Sequence, residues 1–270
     1  MTMQREKAER FRELHQRDGA FLIPNPWDAG SARLLEGLGF EALATTSAGF
    51  AQALGKLDGA VTLEEKLAHC RALAAATRVP VSADLENGFA DDPDGVARTI
   101  RLVAETGVVG GSIEDYSGER IYDFDHAVER VQAAVEAARS LDFPFTLTAR
   151  AENLLRGRDD LDDTIRRLQA YSRAGADVLY APGLSTLEQV REVCGAVDKP
   201  VNVLAAFFPQ ATAADLAEAG AKRISVGSAL ANVAIGALLA AGREMREQGG
   251  FGWLEQAAPG ADIRALLGPR

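Results

Sequence analysis

Three acids and one arginine stand out by type and spacing. Asp84 and Glu86 lie two residues apart in Val81-Ser82-Ala83-Asp84-Leu85-Glu86-Asn87-Gly88, Glu114 closes Gly110-Gly111-Ser112-Ile113-Glu114-Asp115, and Arg150 closes Thr148-Ala149-Arg150 just ahead of Glu152. Each run reads as a strand, and strand alternation turns Asp84 and Glu86 to the same side of the chain. If a neighbouring strand brings Glu114 beside them, three carboxylates share one small volume. They repel one another unless a divalent cation holds them, and oxygen ligands completed by water select Mg2+ or Mn2+. On this reading Asp84→Ala ends activity without costing stability, because one acid leaves a repelling cluster. Arg150 offers a planar fork for a substrate carboxylate beside the metal, with an ion pair to Glu114 or Glu152 as its structural alternative. Single acids in loops are mostly helix caps or solvated side chains; three on adjacent strand ends point to a site.

The elements that must position these residues alternate short β-rich runs with longer amphipathic stretches, the pattern of repeated βα units on a parallel sheet. After a charged opening helix at 3–17, strands are predicted at 20–24, 42–46, 79–84, 109–114, 145–150, 177–181, 201–204 and 223–226. Helices are predicted at 29–38, 63–77, 94–106, 125–140, 162–174, 186–196, 213–219 and 229–247. Thr62 with Glu65 forms a capping box, and Gly107, Gly175 and Gly220 fall where helices should end. Eight strand–helix pairs without a Pro- or Ser-rich linker predict an α/β fold: a single (β/α)8 TIM-type barrel over 1–270, with an N-terminal helix in 1–18 and a C-terminal helical segment in 228–270. A doubly wound open sheet is the alternative, but no Gly-x-Gly-x-x-Gly follows the first strand. The apolar residues Phe251, Trp253 and Leu254 predict that the stretch 249–270 packs on a neighbouring subunit, making the protein a homo-oligomer.

Composition narrows the function further. Thirty-nine acidic against 29 basic residues give a net charge of −10, which disfavours nucleic-acid binding. No apolar run is long enough for a membrane span or a secretory leader, so a cytoplasmic location is expected. Two cysteines, Cys70 and Cys194, and three histidines occur without zinc-ligand spacing, which leaves any metal to the carboxylates.

Taken together, Asp84-Leu85-Glu86-Asn87-Gly88, Ser112-Ile113-Glu114-Asp115, Ala149-Arg150 and Thr46-Ser47-Ala48-Gly49 followed by Asp58 resemble the isocitrate lyase and phosphoenolpyruvate mutase superfamily. The likeness runs from Pro24-Asn25-Pro26-Trp27-Asp28 to Arg223-Ile224-Ser225-Val226-Gly227, nearly the whole chain. It implies a barrel with a terminal helix swapped between subunits in a dimer of dimers, and Mg2+ holding a small carboxylate substrate. It also implies that Asp84, Glu86 and Glu114 bind the metal directly or through water, with Asp58 in the outer shell near the reacting group. Ser47, Ala48 and Gly49 would contact substrate by hydroxyl and backbone N–H groups, Asn202 would join them, and Arg150 would bind a carboxylate or a developing oxyanion.

The departures from that pattern bear on the reaction. Lyases of the family carry a catalytic cysteine in the loop after strand four, where this chain reads Tyr116-Ser117-Gly118-Glu119-Arg120-Ile121-Tyr122-Asp123. Cys70 and Cys194 fall on helices away from the barrel mouth. Phosphoryl-transfer members have Lys and Asn in a longer strand-four loop and His and Ser after strand six, absent from Tyr180-Ala181-Pro182-Gly183-Leu184. Losing CO2 from oxaloacetate needs an electron sink and no base, whereas retro-aldol cleavage of a 2-hydroxy acid needs one. The reading is therefore an oxaloacetate decarboxylase-like enzyme. The alternatives are a 2-methylisocitrate or dimethylmalate lyase with Tyr116 or Tyr122 as base, phosphonopyruvate hydrolase or mutase P–C chemistry, and a catalytically silent metabolite-binding barrel. A Schiff-base mechanism lacks a lysine at the mouth, since Lys199 and Lys222 precede strands seven and eight. Ser228 after strand eight is expected to cap the following helix.

Overall fold

The computed structural model describes residues 3–268. Eight parallel strands, β1 Phe21–Ile23, β2 Leu43–Ala44, β3 Val81–Asp84, β4 Gly110–Glu114, β5 Thr146–Arg150, β6 Val178–Tyr180, β7 Val201–Leu204 and β8 Arg223–Ser225, form one sheet in the order β1-β8-β7-β6-β5-β4-β3-β2. The Ala44 N–H donates to the Pro24 carbonyl at 3.1 Å and brings the two edges together into a nearly closed barrel. Eleven α-helices among the described residues surround it: α1 Met3–Gln16, α2 Ala29–Gly37, α3 Ser47–Ala53, α4 Leu63–Ala76, α5 Pro93–Ala104, α6 Phe124–Arg139, α7 Leu161–Arg173, α8 Leu187–Ala196, α9 Ala213–Glu218, α10 Ala229–Gln248 and α11 Gly260–Leu267.

The strands read as runs of small and β-branched residues because they are covered on both faces, and every residue of β4 is buried. Its two glycines are required by close approach. A Cβ on Gly110 would lie 2.8 Å from the Thr146 carbonyl oxygen, and one on Gly111 would lie 2.9 Å from Leu85 Cδ1. At the strand starts, Phe11 of α1 meets Phe21 and His15 edge-on and packs with Leu14, Ile23, Ala42 and Val109, so α1 closes that end of the barrel.

Sequence signals set most helix starts. Thr62 and Glu65 make the expected capping box on α4, with matching boxes at Thr186–Gln189 and Thr212–Asp215. Three features differ from expectation. A short helix, α3, follows β2 directly because Thr46 caps it through the Gly49 N–H. Ser228 makes no capping bond and accepts from Asn232 Nδ2 at 3.3 Å. Finally, α11 packs on α2 of its own chain, where Leu266 comes so close to Gly37 that a Cβ there would lie 2.9 Å from Leu266 Cδ2. Arg33 Nη2 also donates to the Gly268 carbonyl at 3.1 Å. The stretch expected to pack on a neighbour thus also packs within its own chain at α11; residues 269–270 lie outside the described part. No helix among the described residues is long and apolar enough to cross a membrane.

Candidate active site

Strand register brings the acids and the arginine together. Asp84 pairs with Ser112 across β3 and β4, and Glu114 pairs directly with Arg150 across β4 and β5. The Arg150 guanidinium reaches Asp84 Oδ1 at 3.0 Å, Glu114 Oε2 at 3.1 Å and Glu152 Oε1 at 2.8 Å, and no side chain of the four is more than 16% exposed. Arg156, four residues after Glu152, adds a second cation at 3.5 Å from Glu114 and 3.2 Å from Glu152. Asp84 also accepts from the Ser47 N–H at 3.2 Å and from Ser112 Oγ at 3.4 Å.

Electrostatics separate the acids. Burial opposes ionisation of Asp84, but Arg150, Lys66 and the Ser47 hydrogen bonds outweigh it and hold the carboxyl below its usual range. Burial, with Asp84 and Asp58 nearby, pushes Glu86 up to about 7. Burial also raises Glu114 well above the ordinary value, with Glu152 and Asp84 adding to the effect against Arg150 and Arg156. Asp84 is thus a paired acid: removing it takes one of three carboxylates from Arg150 and leaves Glu114 and Glu152 in place, so Asp84→Ala loses an attraction as well as a repulsion, and untouched stability does not follow from repulsion alone.

Glu86 occupies a left-handed backbone conformation, φ 51°, that a non-glycine residue adopts at a cost of roughly 1 kcal/mol or more. Two outside contacts hold the turn. The Glu114 N–H donates to the Glu86 carbonyl at 2.8 Å, and buried Arg130 of α6 donates to the carbonyls of Asn87, Ala90 and Asp91 behind it. A similar support stands behind Glu152. Its N–H donates to Asp115 Oδ1 at 2.8 Å, while Asp115 Oδ2 accepts from Arg167 at 3.0 Å and from the Tyr171 hydroxyl at 2.6 Å. Arg167 pairs in turn with Asp163 at 2.9 Å.

Two adjoining cavities open here. An inner one of about 330 Å3 reaches into the barrel past Asp84, Tyr180, Asn202 and Arg223. An outer one of about 730 Å3 is lined by Asp58, Glu86, Glu114, Tyr116 and Arg156. Ser47 and Arg150 line both.

Most of the sequence-predicted residues therefore gather at the strand ends, with qualifications. Asp84 and Glu114 meet at Arg150, and among the described residues no three of His, Cys, Asp or Glu form a ready metal-binding group. In this structure the charges of Asp84 and Glu114 are offset by Arg150. The donors still suit a hard cation. They are all oxygen, and Glu86 Oε1 is buried with no hydrogen-bond partner among the described residues. Gly49 lines neither cavity, and its N–H donates to Thr46 Oγ1 at 3.3 Å, whereas Ala48 and Asn202 line the inner cavity. Of the two loop tyrosines, Tyr122 is buried and donates its hydroxyl to Asp91, while Tyr116 faces the outer cavity, donates to the Gly118 carbonyl at 2.8 Å and stacks under Arg156. Cys70 and Cys194 lie on α4 and α8. Sequence reasoning missed Tyr180 and Arg223, although Tyr180 closes β6 and the strand-end criterion could have found it.

A parallel eight-stranded barrel with acids and an arginine gathered where its strands end is an enzyme scaffold with its chemistry at the usual face. The chain belongs to the phosphoenolpyruvate phosphomutase family, whose description matches residues 11–246, within the isocitrate lyase and phosphoenolpyruvate mutase superfamily. A Burkholderia cenocepacia J2315 protein assigned as a lyase or mutase is 56% identical, with a TM-score of 0.93 over 97% of this chain and 95% of that one. The 2-methylisocitrate lyase of Halalkalibacterium halodurans is 30% identical over 80% of this chain and 74% of its own. Oxaloacetate acetylhydrolase in complex with its product oxalate superposes with a TM-score of 0.86 at 26% identity, covering 96% and 93% of the two chains. These relatives are named for lyase, mutase and hydrolase chemistry.

Proposed function

We propose that this chain cleaves a carbon–carbon bond of a small 2-oxo or 2-hydroxy carboxylate through an enolate, and that decarboxylation of oxaloacetate or a close analogue is the reaction its residues fit best. The observation that carries this reading is Arg150, a buried guanidinium between acids that faces both cavities, beside a β4 loop that contains no cysteine. In decarboxylation the bond to the departing carboxylate breaks, its electron pair moves to the keto oxygen, and CO2 leaves. Arg150 donates hydrogen bonds to the oxyanion that forms, where a preorganised donor lowers the barrier most. Asp84, Glu86 and Glu114 would hold Mg2+ or Mn2+, directly or through water, and such a cation would supply further positive charge beside that oxygen. Ser47, Ala48 and Asn202, which line the inner cavity, would contact substrate, Asp58 would stand near the reacting group from the outer cavity, and Tyr116 would return a proton to the enolate carbon.

The likeness to 2-methylisocitrate lyase favours retro-aldol cleavage as the second reading, in which Tyr116 takes the hydroxyl proton. Tyr122 is unsuited, since it is buried and lines neither cavity. We also place the enzyme in the cytoplasm as a homo-oligomer, a dimer of dimers. Val233 and Leu238 of α10 and Phe251 beyond it are 71%, 70% and 63% exposed, the kind of apolar face that a second copy covers.

The test is pyruvate release from oxaloacetate, 2-methylisocitrate, dimethylmalate, phosphonopyruvate and phosphoenolpyruvate, with and without Mg2+. Oxaloacetate should be turned over fastest, and oxalate, which mimics the enolate, should inhibit competitively only with metal present. Faster cleavage of 2-methylisocitrate or dimethylmalate replaces the decarboxylase by the lyase reading.

A further inference from the structure

The inner cavity contains a second buried guanidinium for which the proposed chemistry has no use. Arg223 opens β8, is 4% exposed and lines the cavity wall opposite the strand ends. The other buried arginines are satisfied: Arg150 faces three carboxylates, Arg167 faces Asp115 and Asp163, and Arg130 donates to four backbone carbonyls. Arg223 differs. Among the described residues its guanidinium makes one hydrogen bond, from Nε to Asn202 Oδ1 at 2.8 Å, no carboxylate lies within ion-pair distance, and Nη1 is buried without a partner. Asn202 is itself fixed, since its Nδ2 donates to Ser225 Oγ at 3.0 Å.

A buried cation is ordinarily paired, because desolvating an isolated charge is costly. Burial pulls Arg223 down to about 10, and Arg150 adds to that pull against Tyr180. The cavity thus presents an unmatched, preoriented donor to whatever enters it.

We propose that the floor of this cavity is a second anion subsite, where Arg223, oriented by Asn202, receives the far carboxylate of a short dicarboxylate whose 2-oxo-acid end lies at Arg150. This deepens the proposed function and rests on its assignment of Arg150. It narrows the substrate class to diacids and separates them from monoacids such as pyruvate, which leave Arg223 unpaired.

The test is calorimetric binding, in Mg2+, of oxalate and two pairs matched in length: 2-oxobutyrate with 3,3-difluorooxaloacetate, and 2-oxovalerate with 2-oxoglutarate. In the wild type the diacid of at least one pair should bind about tenfold to a hundredfold more tightly than its monoacid, the range of a charge-assisted hydrogen-bond pair. Arg223→Met should erase that advantage while leaving oxalate within about threefold. Asn202→Asp supplies an internal carboxylate to Arg223, so it should fold stably and erase the advantage too; it keeps the test open if Arg223→Met fails to fold. A diacid advantage that survives both substitutions, or equal weakening of oxalate and diacids, overturns the subsite. Wild type that binds oxalate but shows no diacid preference overturns it as well, with the Arg150 reading intact. A diacid preference without any oxalate binding overturns the Arg150 reading instead.

Discussion

Replacing Arg150 by glutamine removes the cation that Asp84, Glu114 and Glu152 share. Those three carboxylates face Arg150 and Arg156, so the local charge changes from −1 to −2 with three acids at most 16% exposed. Removing one partner of a buried ion pair costs about 3–5 kcal/mol, a large part of a typical folding free energy of about 5–15 kcal/mol. At about 2–4 °C per kcal/mol for a chain of this size, the melting temperature at pH 8 should fall by roughly 6–20 °C. The loss should shrink at pH 5.5, because Glu86 and Glu114, already raised, take up protons more readily once the arginine is gone. Arg150→Lys should melt in between, since a point charge replaces the fork, and both variants should lose most pyruvate-forming activity. Circular dichroism melts at the two pH values, beside the turnover assay, make the measurement. An Arg150→Gln protein that melts within about 2 °C of wild type at pH 8 refutes the idea that this guanidinium neutralises the acids.

Tyr116→Phe should lower kcat by about a hundredfold or more if the hydroxyl moves a proton, with little change in melting temperature; an unchanged kcat removes it from the mechanism. Gly49→Ala puts a Cβ 2.7 Å from Thr46 Cγ2 and 3.1 Å from the Ala231 Cβ, and should destabilise by about 1–3 kcal/mol in urea titration. Burial, with Arg223 adding, depresses His15 to about 3 from an unfolded value near 6.5, so the unfolded chain binds the extra proton between those values. Stability should therefore fall by up to about 1.4 kcal/mol per unit as pH drops below 6.5, and His15→Gln, which can still donate to the Phe11 carbonyl, should flatten that slope. Arg167→Met leaves Asp115 and Asp163 without their buried partner and should cost about 3–5 kcal/mol in the same titration.

The acids were legible because two rules converge on them: alternation along a strand and the placing of barrel chemistry at strand ends. Their partner was less legible. Periodicity locates Glu114 and Arg150 at the ends of β4 and β5, but only the register between those strands sets them side by side, and nothing local in the sequence encodes register. Tyr116 and Tyr122 share one loop and one residue type, yet Arg130 and Asp91 draw one inward and leave the other at the cavity. Arg223 reads in sequence as the charged start of a strand; that it points into the barrel without a carboxylate depends on closure with β1 and β7. The helix after β2 was hidden because Thr46-Ser47-Ala48-Gly49 carries too few apolar residues for a period to show.

The turn that carries Glu86 also has a place in the order of folding. Its carbonyls are gathered by Arg130, whose bonds to Asn87, Ala90 and Asp91 span 43, 40 and 39 residues of chain. Such contacts form only after the intervening loop has closed, so α5 and α6 must dock before Glu86 can settle in its left-handed conformation. The face that carries Glu86 should therefore be completed late in folding and released early in unfolding. Amides of 85–91 should exchange with solvent together with those of α6, and transient loss of that one helix would disarm the barrel while its sheet stayed intact.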